Sequence, residues 1–242
     1  MSDLKGLVGK EQTPMEKYIK GLYLHDLQKA GCTIDPYTER IPEDFTIFLD
    51  SETFFCTDDK IDVCLIVGDI LADVEVPEGI TVNCYSHSWA ENRGADQVRL
   101  KNIRTIFKPD VIDEFANNER LMNIVLNRAV IYGYLETVKI CIEDKNVNFC
   151  TDDDEALYLA VSYDHLDIVK YLVDQGADIH AREDDFFIRA AEEDKQDCFD
   201  FLMSCNREPE LTLQKAKECR SIKTIEAIHR YEQKQSKERT SL

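Results

Sequence analysis

The chain has 242 residues, 43% of them hydrophobic and 32% charged, enough for a real core in one large domain or two small ones. Its 48 acidic and 29 basic residues give a net charge of −19. A field of that sign repels phosphate backbones and anionic membrane surfaces, so nucleic acid and membrane are excluded as general partners and a protein with a basic surface is favoured.

The opening residues "MSDLKGLVGKEQTP" lack the apolar run of a signal peptide, and no segment reaches the length of a membrane span. An intracellular protein is expected. Within residues 1–44, "TPMEKYIKGLYLHDLQKAG" predicts an amphipathic helix over 14–30. Thr13 is its N-cap, Pro14 takes the first turn, Glu16 completes a capping box and Gly31 ends it. Met15, Ile19, Leu22 and Leu27 share one face, which is expected to pack on the adjacent domain rather than bind a separate partner.

Residues 45–107 read as a β-rich domain. "FTIFLD" alternates, and "IDVCLIVGDIL" is a continuous apolar run that fits a buried strand or a helix. "ADVEVPEG" and "ITVNCYS" alternate around Pro77-Glu78-Gly79, which predicts a hairpin. "SHSWAENRGAD" reads as an exposed loop and "QVRLKNI" as another strand. "FKPDVIDEFANNER" then leads into the segment 108–232, and 233–242 is a charged tail.

The segment 108–232 repeats itself. "RAVIYGYLETVKICIEDKNVN" and "LAVSYDHLDIVKYLVDQGADIH" align with Ala129 on Ala160, Tyr132 on Tyr163, Leu135 on Leu166 and Val138 on Val169, a period of 31 residues. A further step of 31 puts Ala191 in register, with Phe199, Phe201 and Leu202 repeating the second helix one residue early. A worn fourth copy lies in "LQKAKECRSIKTIEAIHRY". Each unit reads as two short helices, the small Ala of the first letting the second pack close. Such helices bury their apolar stripe only by stacking on neighbours.

"DHLDIVKYLVDQGADIHA" resembles the second half of an ankyrin repeat. The usual T-P-L-H opening is replaced by Glu155-Ala156-Leu157-Tyr158. The opening Phe187-Ile188-Arg189-Ala190-Ala191, with "ILADVEVPEGITVNCYS" and "GADQVRLKNIRTI" upstream, is similar to the ankyrin proteins of giant DNA viruses of the mimivirus type. The resemblance implies an α+β protein: a short ankyrin-repeat α-solenoid of about four helix pairs behind a β-rich N-terminal domain with an N-terminal helix. It also implies that His165 hydrogen-bonds backbone between units, and that loop tips and the outer face of each first helix are free to bind. On the Ala129–Ala160–Ala191 register those positions are Asn123, Ile131 and Tyr132; then Asp152, Asp154, Ser162 and Tyr163; then Asp185, Glu193 and Asp194. They describe an acidic, tyrosine-bearing concave face for a protein partner.

No catalytic constellation stands out. The five histidines are scattered, His87-Ser88-Trp89 has no acidic partner placed by sequence, and Asp152-Asp153-Asp154-Glu155 lacks the alternation and Gly of a calcium loop. No nucleotide or metalloprotease motif occurs, so no cofactor is expected. The nine cysteines contain no C-x-x-C and sit where small apolar residues sit, so free thiols in a reducing compartment are expected. The ending "RTSL" matches the S/T-x-apolar pattern that PDZ domains accept, a pattern common by chance. The alternative to an interaction protein is a ligand-binding or enzymatic β-rich domain targeted by the repeats.

Overall fold

A computed structural model describes residues 18–22, 28, 46–49, 53–57, 68–86, 91–150 and 154–240. The chain divides into two compact units, Met1–Leu121 and Met122–Leu242.

The first unit holds seven described strands: β1 (Tyr18–Leu22), β2 (Ile47–Leu49), β3 (Thr53–Thr57), β4 (Ile70–Glu75), β5 (Asn83–Ser86), β6 (Glu91–Ala95) and β7 (Val98–Thr105). They form one antiparallel sheet in the order β2-β7-β4-β1-β3-β6-β5. Ile70, Ala72 and Val74 of β4 join Leu22, Ile47, Val98 and Leu100 in one apolar core. The opposite side of β4 carries Asp73 and Glu75, which pair with Arg104 and with Lys101 and Arg99 of β7. Alternation in β7 breaks at Lys101-Asn102, and a register shift absorbs the break. Asn102 takes φ 47 there, and Val98 and Leu100 before it and Ile103 after it all stay buried. A one-residue bulge thus keeps one face apolar along a strand whose sequence changes parity. Asn102 and Arg104 then both reach Asp73, at 3.1 and 2.9 Å.

Three expectations are corrected here. Tyr18–Leu22, inside the predicted helix 14–30, is a strand flanked by β3 and β4; Gln28 is the one described helical residue of that span. Capping signals and a 3.6-residue pattern are local, and pairing with partners 37 to 56 residues away outweighs them. The predicted hairpin is absent. Pro77-Glu78-Gly79 does form a turn, with Ile80 N–H on Pro77 O at 3.2 Å and Gly79 at φ 84. Its flanking strands nonetheless part, β4 going to the centre of the sheet and β5 to its edge. The hairpin partner of β5 is β6, with Ser86 opposite Glu91, so Glu91–Ala95 is a strand rather than loop. His87, Ser88 and Trp89 lie outside the described residues.

Nine helices are described. They are α1 (Pro109–Phe115), α2 (Glu119–Ile131), α3 (Leu135–Lys139), α4 (Glu155–Ser162), α5 (Leu166–Asp174), α6 (Asp185–Glu192), α7 (Gln196–Cys205), α8 (Pro209–Glu218) and α9 (Ile222–Thr240). In the second unit α4 packs on α5, α6 on α7 and α8 on α9, while α4 stacks on α6, and α5 lies between α3 and α7. α3, α4 and α5 have 5, 8 and 9 residues. Isolated helices below about 12–15 residues are marginal in water, so stacking holds them. Ile168, Val169 and Leu172 of α5 and Phe186 and Phe187 of α6 are buried in that stack. α9 continues through the expected charged tail as far as Thr240, and Lys234 reaches Asp200 of α7 at 2.8 Å.

Candidate functional site

A backbone hydrogen bond marks the same place in every unit. The N–H of Tyr134, His165, Lys195 and Ser221 donates to the carbonyl of Ala129, Ala160, Ala190 and Ala216, at 2.8, 2.9, 2.7 and 2.9 Å. The residue before each donor is left-handed: Gly133, Asp164, Asp194 and Arg220. All four alanines are fully buried, because the second helix crosses at the place where any larger side chain would hold it off. The units therefore step by 31, 30 and 26 residues, and the third registers on Ala190, not Ala191. The one-residue difference between the first two steps comes from an extra residue in the first repeat, at the end of its second helix. The expected pair Glu193 and Asp194 is shifted by one: Glu192 and Glu193 are the counterparts of Ile131 and Tyr132.

That extra residue of the first repeat lies between Cys141 and Val147. Cys141 corresponds to Leu172 and Val147 to Ala177, whose N–H groups close back on those residues' carbonyls at 3.0 Å each. Ile140–Asp144 widens into a π-turn to take up the difference, and Asn146 at φ 53 stands where Gly176 stands at φ 99.

His165 ties two units together. Its Nε2–H donates to Ile131 O at 2.9 Å, the proton being on that nitrogen because a carbonyl only accepts. Gly133 makes room: a Cβ there would come within 2.7 Å of the ring. The backbone role implied for His165 is what the structure shows.

The expected binding positions fall into three groups. Tyr132 and Tyr163 occupy equivalent positions at the ends of α2 and α4 and are 44% and 51% exposed. Tyr132 stacks on Tyr134 with 5.9 Å between ring centroids. A second group is engaged within the chain. Arg189 donates to Ser162 Oγ at 3.2 Å, pairs with Glu193 at 3.0 Å and lies over Tyr158, as does Arg182, which also pairs with Glu155. Asp194 pairs with Lys223 at 3.2 Å, and Ile131 supplies the carbonyl used by His165. These arginines carry no obvious periodicity, so the repeat pattern alone does not reveal that they offset the acidic face.

The third group is not at free loop tips. Asp154 is the left-handed N-cap of α4 and only 6% exposed, its carboxylate bonded to the Cys150 thiol. Asn123 lies one turn inside α2, because Asn118 caps that helix early by accepting the Leu121 N–H at 3.1 Å. Asp185 is the half-buried first residue of α6, and Asp152 lies outside the described residues.

Burial pushes the thiols of Cys141 and Cys198 up to about 12; at Cys198 the nearby Asp164 carboxylate adds to the effect. Cys141, Cys150, Cys198, Cys205 and Cys219 are free thiols. Among the described residues no group of three His, Cys, Asp or Glu side chains is placed to hold a metal, and no helix is long and apolar enough to cross a membrane.

A stack of short helix pairs with alanine crossings and loop-reaching histidine defines a repeat-array protein. Residues 106–183 and 126–215 match the family model described as ankyrin repeats, in 3 copies, so the chain carries ankyrin repeats. No curated protein matches it.

Proposed function

We propose that the chain is a non-enzymatic interaction protein whose array, of about four helix pairs, binds a protein partner with a basic surface. Ankyrin repeats are generally protein–protein interaction modules. The observation that carries the reading is the pair Tyr132 and Tyr163, large aromatic side chains left half exposed at equivalent positions of successive units. Tyrosine is a favoured interface anchor because it buries much area at little entropic cost. Ile131 and Ser162 precede them in the chain, with Asp185, Glu193 and Asp194 carried by the next unit, and the net charge of −19 steers a cation-bearing partner. On the resemblance to giant-virus ankyrin proteins, that partner is a host or virion protein.

The test is affinity purification with the full chain, followed by titration of the purified partner against Tyr163→Ala. The variant is expected to fold as the parent does and to lose roughly tenfold or more in affinity, with association slowing as salt is raised. Equal binding by the folded variant at low and moderate salt would place the interface elsewhere.

A further inference from the structure

The segment leading into α6 holds three successive left-handed residues, Arg182, Glu183 and Asp184, at φ 54, 54 and 66. Beside it lies an open cavity of about 280 Å³, lined on its other side by one face of α8: Leu211, Gln214, Lys215 and Glu218. By the alanine register, Gln214 and Glu218 are the fourth unit's counterparts of Tyr158 and Ser162, so the cavity continues the first-helix face of the array.

A buried relay sets the polarity of this cavity. The Asp184 side chain is 5% exposed. Its Oδ1 lies 2.6 Å from His180 Nδ1, and its Oδ2 accepts the Thr212 hydroxyl at 3.0 Å. Asn206 donates to Thr212 Oγ1 at 2.8 Å, which orients that hydroxyl toward the carboxylate. A carboxylate on Nδ1 fixes the ring proton there, so the neutral imidazole keeps Nε2 as an acceptor. Among the described residues nothing bonds Nε2 of His180.

Gln214 is oriented in the same sense. Its Nε2 donates to Glu218 Oε1 at 3.0 Å, which leaves its amide oxygen as an acceptor. Glu183 pairs with Lys215, whose ammonium holds the carboxyl below its ordinary range. Of the lining carboxylates, Asp184 is taken by His180 and Thr212 and Glu183 by Lys215, which leaves Glu218 beside Gln214. Leu211, 48% exposed, gives it one apolar wall.

Acceptors in several directions, the Glu218 carboxylate and an apolar wall call for a cation with many donors on an aliphatic stem. We propose that this cavity receives an arginine side chain of the protein partner, an assignment that rests on the reading of the array as a receptor for a basic protein. A guanidinium brings five N–H donors in a fixed plane, suited to a carboxylate, an imidazole nitrogen and an amide oxygen together. A lysine brings three donors around a single point. The stem packs along Leu211.

The test uses the full chain and N-acetyl-arginine methylamide, followed by NMR at the His180 ring and the Gln214 side-chain amide. The citrulline analogue, equal in shape and uncharged, is the control. Saturable shifts with the arginine probe, absent with citrulline, are expected, and Glu218→Gln, a solvent-side change that leaves the relay intact, should weaken binding roughly tenfold. No shift at either group, equal shifts with citrulline, or unchanged binding by folded Glu218→Gln would overturn the assignment.

An oligo-arginine peptide separates this from the underlying reading. If it binds the parent and loses affinity with Tyr163→Ala but not with Glu218→Gln, the array is a basic-protein receptor and the cavity is not its anchor. If it does not bind the parent at all, the receptor reading falls, whatever the single arginine does.

Discussion

In the first unit, β1 finds its partners at Thr53–Thr57 and Ile70–Glu75. In the second, the His165 amide finds Ala160 five residues back, and the same bond recurs three more times. Apart from the β5–β6 hairpin, the sheet is assembled from segments distant in the chain, in the order β2-β7-β4-β1-β3-β6-β5. The array is assembled from local pairs and contacts between nearest neighbours. Nearest-neighbour stacking writes itself into sequence as a period, because each unit must offer the same small residue and the same stripe to the next. Long-range pairing leaves no such mark.

Truncating the two cores gives the largest effect. Leu100 of β7 and Leu172 of α5 are both fully buried, so Leu100→Ala and Leu172→Ala are each expected to cost about 2–5 kcal/mol. Amide exchange monitored during thermal melts distinguishes the two architectures. Leu172→Ala should speed exchange together across α4 to α7, since its neighbours share the stripe it breaks. Leu100→Ala should speed exchange in β2 and β4, its ladder partners. Loss confined to α5 would show that the repeats are not one cooperative array.

Two glycines sharpen the point at smaller cost. Gly133 and Gly176 both have positive φ, but only Gly133 faces a neighbour, the His165 ring. Gly176→Ala carries conformational strain alone, about 1 kcal/mol. Gly133→Ala adds the clash and disturbs the bond to Ile131, and about 1–3 kcal/mol more is expected. Equal losses in denaturant titrations would mean that His165 does not couple the units.

The thiols give the smallest effect at neutral pH and a clear one above it. Burial in the folded chain raises the Cys141 and Cys198 thiols from 9.0 to about 12. Their folded values are raised, so the stability they contribute is fully present below 9.0 and is lost as the pH rises through about 12. Denaturant midpoints should fall over that window, and replacing both cysteines by alanine should flatten the slope. In native protein at neutral pH, a thiol reagent should label Cys150 and Cys219, which are exposed, and spare the buried pair. Rapid native labelling of Cys198 would contradict the packing of α7.

The sequence by itself carried the repeat, the alanine crossings at Ala129 and Ala160 and the identity of the helices beside them, because each is set by residues within one period; the role of His165 came with the ankyrin resemblance, and the third crossing fell at Ala190, not Ala191. It also carried the strands Ile47–Leu49 and Val98–Thr105, where alternation reports one buried face. Tertiary structure alone decided the rest. Tyr18–Leu22 became a strand under the pull of two distant ladders, and β4 and β5 separated across a turn that looked like a hairpin. A bulge at Asn102 preserved a face that strict alternation would have lost. The binding face changed most: Asp154 turned inward as a helix cap, Arg189 took up Ser162 and Glu193, and His180, Asp184, Thr212 and Asn206 met from separate turns and helices. Periodicity specifies which side of a helix is buried, whereas the partner of a polar side chain depends on where the next repeat places its own, and a period read from the first repeat, with its extra residue between Cys141 and Val147, misplaces the third by one.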